Sequence, residues 1–368
     1  MSSAPSEVPG FFAALVAPLF GVVGLTLWDK HWTSNVGGHA FMLNAFKCSV
    51  CTILFLAVIS AQVAHEGLEA AEERWRAADL HKVLLSSLLG IVIGDCLWLE
   101  ALKLIQSRSV ILIDCCKPFM MALLAWLPLP AGLGEELTWI WAVGFTITMG
   151  GVYWVEAVAL PPAPPPEPAA AEPAAISSSG VELGEQPLRR DDSAGGAAAP
   201  AGAGVDRRAR SRRRKGFAYA CLNVLLDQYS AIMTKQAATP LSSWEINFVR
   251  FGGAAATLVL LICLRRIWLA AAGSPVRQGA WYAFPALSRS SMLWVLFGTL
   301  STTFLQPLMT AWALFQIKAA IYGTLTATGP IWSLPVARLI KGERTTKWRV
   351  CGAAVAVAGV VVLAEPWR

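Results

Sequence analysis

Apolar residues fall along this chain in runs of roughly twenty, and the charges gather between the runs rather than within them. A helix rises about 1.5 Å per residue and the hydrocarbon core of a bilayer is about 30 Å thick, so each run is long enough to cross once. Ten spans are predicted on this basis, at 10–28, 40–62, 82–104, 109–128, 139–160, 216–236, 244–268, 290–315, 319–340 and 348–364. A spanning segment must satisfy its own backbone hydrogen bonds, and little sequence lies between the runs, so a helical bundle is the architecture left. The predicted fold class is all-α, a polytopic membrane protein of about ten transmembrane helices.

Composition agrees, with 55% of the 368 residues hydrophobic and 15% charged, against about 45–50% and about 25% in soluble domains. A formal net charge of +6 would suggest nucleic acid in a soluble protein, but nine of the 30 basic residues lie between Arg189 and Lys215. The charge describes a loop, and no nucleic-acid partner is expected. All eight cysteines fall inside apolar runs, away from loops where structural disulfides form, and read as small core residues. Cys48 and Cys51 have CxxC spacing but no second pair or nearby His completes a zinc set, so no metal and no cofactor is expected. The N-terminus lacks the positive flank of a cleaved signal peptide, so the first run is expected to stay as a span.

Residues 161–215 differ in kind, opening Pro-rich, passing through Ala, Gly and Ser, and ending in RRARSRRRK without an aromatic residue. Such a segment cannot bury a core and is expected to be disordered. It separates an N-terminal tail (1–9) and a first five-helix unit (10–160) from a second five-helix unit (216–365). Its basic end, 207–215, abuts a span and is expected to meet anionic lipid head groups of the bilayer. Lys and Arg also crowd the loop with Arg265, Arg266 and Arg277 and the loop with Lys341, Arg344, Lys347 and Arg349, while the other side has mainly Arg74, Arg76 and Lys82. The positive-inside rule then puts the linker in the cytosol and both termini across the membrane.

The chain also repeats itself. At an offset of 212 residues Pro118 aligns with Pro330, Ala101-Leu102 with Ala313-Leu314, and Ile105 with Ile317. After a four-residue loop insertion, Gly134-Glu135 matches Gly342-Glu343, Gly144 matches Gly352, and Gly151-Val152 matches Gly359-Val360. Nearer the start of each half, Asn44 falls opposite Asn247 and Phe46-Lys47 opposite Val249-Arg250. Five spans per half is an odd number, so the two repeats are inverted relative to each other.

The stretches GDCLWLEALKLIQSRSVILIDCCKPFMMALLAWLPL with GEELT, and ALFQIKAAIYGTLTATGPIWSLPVARLIKGERTTKWRVCGAAVAVAGVVVLAEP, resemble the EamA domain of the drug/metabolite transporter superfamily. The shared pattern is an Ala-Leu helix end, small residues, a Pro in the next helix, Gly-Glu and a Gly-rich last helix. The resemblance covers both halves. It implies ten helices and a secondary carrier for metabolites, often an exporter, with no ATP site. It also implies cytosolic termini, the reverse of the charge count. Arg250-Phe251 keeps an Arg-Phe start to the second helix of a unit, which Lys47-Cys48-Ser49 replaces in the first half.

Ionisable groups inside spans cost roughly 2.5–3.5 kcal/mol on insertion, so each should face a cavity or a partner. Asp114 and Lys117 stand three apart just before Pro118, whose ring frees a carbonyl one turn back. This turn is the leading candidate for contact with a solute or a coupled proton, against the alternative of a self-neutralising ion pair. The second half has Thr326, Thr328 and Gly329 there, so the charge sits on one side only. Asp95 follows Gly94 and either lines a pathway or braces neighbouring helices. Trp98, Asp227, Asn247, Gln306, Trp312, Gln316, Tyr322 and Pro330 complete the candidate lining, and a solute bound between Asp95, Asp114 and Trp312 would be the most telling observation. Lys47 and Arg250 offer positive charge to an anionic solute or sit at the head groups, the second being favoured. Glu100 and Lys103 read as a snorkelling pair, and most of the 16 Trp as interface anchors.

The leading reading is secondary active transport of a small-molecule solute by alternating access, around a site lined by the third, fourth, eighth and ninth spans, with proton coupling at Asp95 or Asp114. A membrane-embedded enzyme using those carboxylates, or a non-transporting receptor or scaffold, are the alternatives. Against an enzyme, the spans hold no His box, nucleophile elbow or HExxH, and the four His lie in or beside loops.

Overall fold

The computed structural model describes residues 8–34, 38–114, 116–127, 138–157, 202–277, 279–341 and 346–363. Among them every regular element is helical. Five segments are long and apolar enough to cross a membrane by length and composition: Val8–Thr33, Ala40–Glu66, Leu80–Ile105, Ser243–Ala271 and Arg289–Gln316. Large apolar side chains such as Ile53, Leu260, Ile267, Leu293 and Leu339 are exposed, as suits a bundle whose solvent is lipid.

In the first half α1 (Val8–Trp28) passes through a π-helical turn, Asp29–Ser34, towards α2 (Ala40–Glu66). His39 caps α2, its Nδ1 accepting from the Phe41 amide at 3.2 Å. Gly67 ends α2 with φ at 94°, a conformation that favours a residue without Cβ, and turns the chain into the short polar helix α3 (Leu68–Ala77). The third span combines α4 (Leu80–Ser87), a π-helical turn at Leu88–Gly94 and the start of α5 (Asp95–Asp114), and is followed by α6 (Lys117–Trp126) and α7 (Trp139–Ala157). The second half has α8 (Gly202–Ala237), α9 (Ser243–Ala271), α10 (Arg289–Thr299), a π-helical turn at Leu300–Leu305, α11 (Gln306–Gln316), α12 (Ala319–Thr326), α13 (Gly329–Lys341) and α14 (Lys347–Leu363).

The irregularities repeat with the sequence. Leu88 and Leu300, which open two of the π-helical turns, are 212 residues apart, the offset that aligns Pro118 with Pro330. Asn44 Nδ2 donates to Ile91 O in the first of these turns at 2.9 Å, and Asn247 Nδ2 donates to Pro307 O just past the second at 3.2 Å. Each asparagine thereby holds the second helix of its half against the widened stretch of the third span.

Helices α7 and α14 fix the relative direction of the halves. A Cβ on Gly151 would lie 2.6 Å from Gly352 O, and a Cβ on Gly359 would lie 2.8 Å from Gly144 O. Gly144 and Gly151 are the sequence partners of Gly352 and Gly359, so each helix meets its own equivalent in reversed order. Equivalent helices therefore run antiparallel, as inverted repeats require. Other principal pairings obey the same two-fold relation: α2 with α9, α1 with α11 as α8 with α5, and α1 with α13 as α8 with α6.

Two predicted features take a different form. A break was expected between the third and fourth spans, yet α5 is helical through to Asp114. Trp98 Nε1 nevertheless lies 3.1 Å from Asp114 Oδ2, sixteen residues away, where a straight helix would separate them by about 24 Å. α5 therefore folds back between these residues, through a bend rather than a loop. In the linker, 161–201 lie outside the described residues, but 202–215, expected to be disordered, form the first fourteen residues of α8. That stretch is free of proline and rich in Arg, which favours helix, and it extends a helix that the sixth span already nucleates. The cysteines divide as well: Cys48 and Cys51 are buried core residues, while Cys116, Cys221, Cys263 and Cys351 are exposed and are not.

Candidate functional site

Helices α5, α6 and α8 meet at Lys117, the first residue of α6. Its Nζ lies 3.3 Å from Asp114 Oδ1 and 3.2 Å from Asp227 Oδ2. Asp114 Oδ2 accepts from Trp98 Nε1, and Gln228 Nε2 donates to Asp227 at 3.2 Å. One ammonium thus bridges a carboxylate of the first half and one of the second. The break that creates this turn follows from Pro118, which starts a helix well because its missing amide would lack a partner there. Pro118 is buried against α12, where a Cβ on Gly323 would come 3.3 Å from its Cα.

A second ion pair joins α2 to α5, with Lys47 Nζ 2.5 Å from Asp95 Oδ2 and the lysine side chain 7% exposed. The ammonium also stands 5.7 Å over the Trp28 ring. Lys47 is therefore not at the head groups, contrary to expectation, because Asp95 gives it a partner seven residues into α2. Its equivalent Arg250, also seven residues into α9, is likewise drawn inward. Arg250 Nη2 donates to Ser230 Oγ at 2.8 Å, its backbone oxygen accepts from Ser87 Oγ, and its Nε is buried with no partner among the described residues. Asp227, Tyr322 and Asp95 are near enough to act on it electrostatically.

Of the residues singled out in the sequence, Asp95, Trp98, Asp114, Lys117, Pro118, Asp227 and Tyr322 are gathered around these pairs. The Tyr322 side chain hydrogen-bonds Thr310. Asn247, 1% exposed, is a helix brace. Gln306 packs on α1, where a Cβ on Gly21 would meet its Oε1 at 2.6 Å. Trp312, 41% exposed, lies with Gln316 along a separate groove of about 580 Å³ that includes Ser242, Trp244, Met309 and Phe315. Both lie on α11, Trp312 midway along it and Gln316 at its end. Pro330 opens α13, and its side chain is outside the described residues. Sequence reasoning under-weighted Lys47 and Arg250 because both lie close to a span start. The available signal was their alignment beside Asn44 and Asn247. Among the described residues no group of three His, Cys, Asp or Glu could hold a metal ion.

The family model described as "EamA-like transporter family" matches residues 8–156 and 214–364. The chain belongs to this family of EamA-like transporters. The two matched segments coincide with the two helical units and leave out most of the linker, so the division seen in the charged cluster is between two EamA units. A solved structure described only as "Crystal structure of protein" is similar at 15% identity, with a TM-score of 0.63 over 97% of this chain and 98% of that one. At that identity the likeness shows the fold. No curated protein matches the chain. Membership, with the apolar spans, makes this EamA-like protein an integral membrane protein of a transporter family.

Proposed function

We propose that this EamA-like protein is a secondary transporter that moves a small metabolite by alternating access, its two halves rocking about the charged cluster. The observation that carries the reading is Lys117 held between Asp114 of one half and Asp227 of the other. Buried charge pairs contribute little net stability, but a pair that crosses two moving bodies makes their relative position sensitive to what binds there. A proton or solute arriving at either aspartate frees Lys117 from that side and rebalances the halves. Export is the direction that the resemblance implies. The positive-inside rule supports a cytosolic linker, with 207–215 against anionic lipid.

The test is flux. Purified protein in liposomes loaded with a mixed metabolite panel should speed equilibration of at least one solute, and the Asp114→Asn protein should not. Chemical turnover of a lipid or soluble substrate without flux would replace the transporter reading with the enzyme one.

A further inference from the structure

The halves share a backbone plan but not a charge plan, and one cation, Arg250, has no direct carboxylate contact among the described residues. Lys47 and Arg250 are equivalents, each three residues beyond its bracing asparagine. Lys47 is paired with Asp95. At the offset of 212 residues that aligns the third and eighth spans, the counterpart of Asp95 is Pro307, so Arg250 has no carboxylate waiting for it. Its Nη2 has only the Ser230 hydroxyl, and its Nε is buried without an acceptor among the described residues.

The neighbouring acids are already engaged, Asp227 by Lys117 and Gln228, and Asp95 by Lys47. Nor does packing alone explain the guanidinium, since Ser230 is independently held by donating to Ser86 O at 2.9 Å. A buried guanidinium nitrogen with no acceptor in contact is costly unless something else supplies one. Gly90 lets the third span approach this pair closely, since a Cβ there would collide with the Ser230 side chain and fall 3.4 Å from Nη2.

On the transporter reading of this site, we propose that Arg250 anchors the solute, and that the solute is a small organic carboxylate. Its head group completes in the second half the ion pair that Asp95 completes in the first. The Nε and Nη2 edge of a guanidinium forms a planar fork that matches two carboxylate oxygens, which a lysine ammonium does not. Both second helices then hold their cation in direct contact with a carboxylate only when the carrier is loaded.

The test uses the full chain in detergent. Unfolding midpoints are read by tryptophan fluorescence with acetate, pyruvate and benzoate, each against its methyl ester. At least one acid should raise the midpoint while its ester does not. Arg250→Lys should bind that acid at least about tenfold more weakly, as expected for losing a charge-assisted bond, and Arg250→Gln should lose it. Pro307→Asp, which rebuilds the internal pair, should also abolish binding, whereas Pro307→Asn should keep it. This pair and Arg250→Lys decide the matter if Arg250→Gln fails to fold. Stabilisation by none of the acids, or undiminished affinity in Arg250→Lys or Pro307→Asp, overturns the proposal. Carboxylate binding without flux in liposomes would remove the transport reading and leave Arg250 standing. Flux of a cationic or neutral solute unaffected by Arg250→Lys would do the reverse.

Discussion

The first and second halves differ less in shape than in chemistry. Both have a bracing asparagine, a π-helical turn in the third helix of the unit, a proline-started segment and a Gly-lined last helix. Yet where the first half has Asp95, Asp114 and Lys117, the second has Pro307, Thr326 and Gly329. Conversely, Asp227 of the second half stands where the offset of the opening helices leaves only apolar residues in α1. Symmetry here belongs to the frame, which must rearrange in two mirror-related ways, and asymmetry belongs to the site. A symmetric site would leave no reason for charges that insertion into a bilayer penalises.

The sharpest way to break this comparison is to remove the two equivalent cations. Lys47→Ala leaves the half-buried Asp95 without its partner and should destabilise the protein by about 1–3 kcal/mol in detergent unfolding. Arg250→Ala strands no carboxylate and should have a much smaller effect. Equal losses would mean that Arg250 has an internal partner after all. Next, Gly151→Leu should overpack α7 against α14 by about 1–3 kcal/mol, and Gly359→Leu should match it, since the contact is its own mirror image. A clear inequality would undo the two-fold relation. Asn44→Ala and Asn247→Ala should each lower stability by about 1 kcal/mol, again as a matched pair. The smallest effect concerns a difference: α8 begins with a basic extension that α1 lacks. Arg212→Gln should weaken association with anionic vesicles by about 1 kcal/mol or less, read by co-sedimentation, and leave neutral vesicles unaffected.

Much of the frame was legible because its causes are local or periodic. Apolar run lengths located the spans, and the Pro118 and Pro330 alignment located the repeat. Antiparallel pairing of α7 with α14 then followed from glycines already visible as matches. The bend inside α5 was less legible, because the polar Gln106–Ser109 stretch of the sequence reads equally well as a loop or as continued helix. Helix in 202–215 was hidden by composition, since a basic, low-complexity tail lacks a core but can still continue a neighbouring helix. In the site, Asp114 and Lys117 were found by their spacing, and Asp227 only as one polar residue among several. Its pairing with Lys117 spans more than a hundred residues and depends on how α6 crosses α8.

Alternating access itself is tested most directly at Ser230, which is fully buried and bonded to Arg250. A Ser230→Cys protein with its native cysteines replaced can be sealed in vesicles and exposed to a membrane-impermeant thiol reagent, added to one side and then, separately, to the other. The account predicts slow labelling from each side, because only movement of the halves opens the cluster to water in turn. Labelling from one side alone, or from neither, would contradict it.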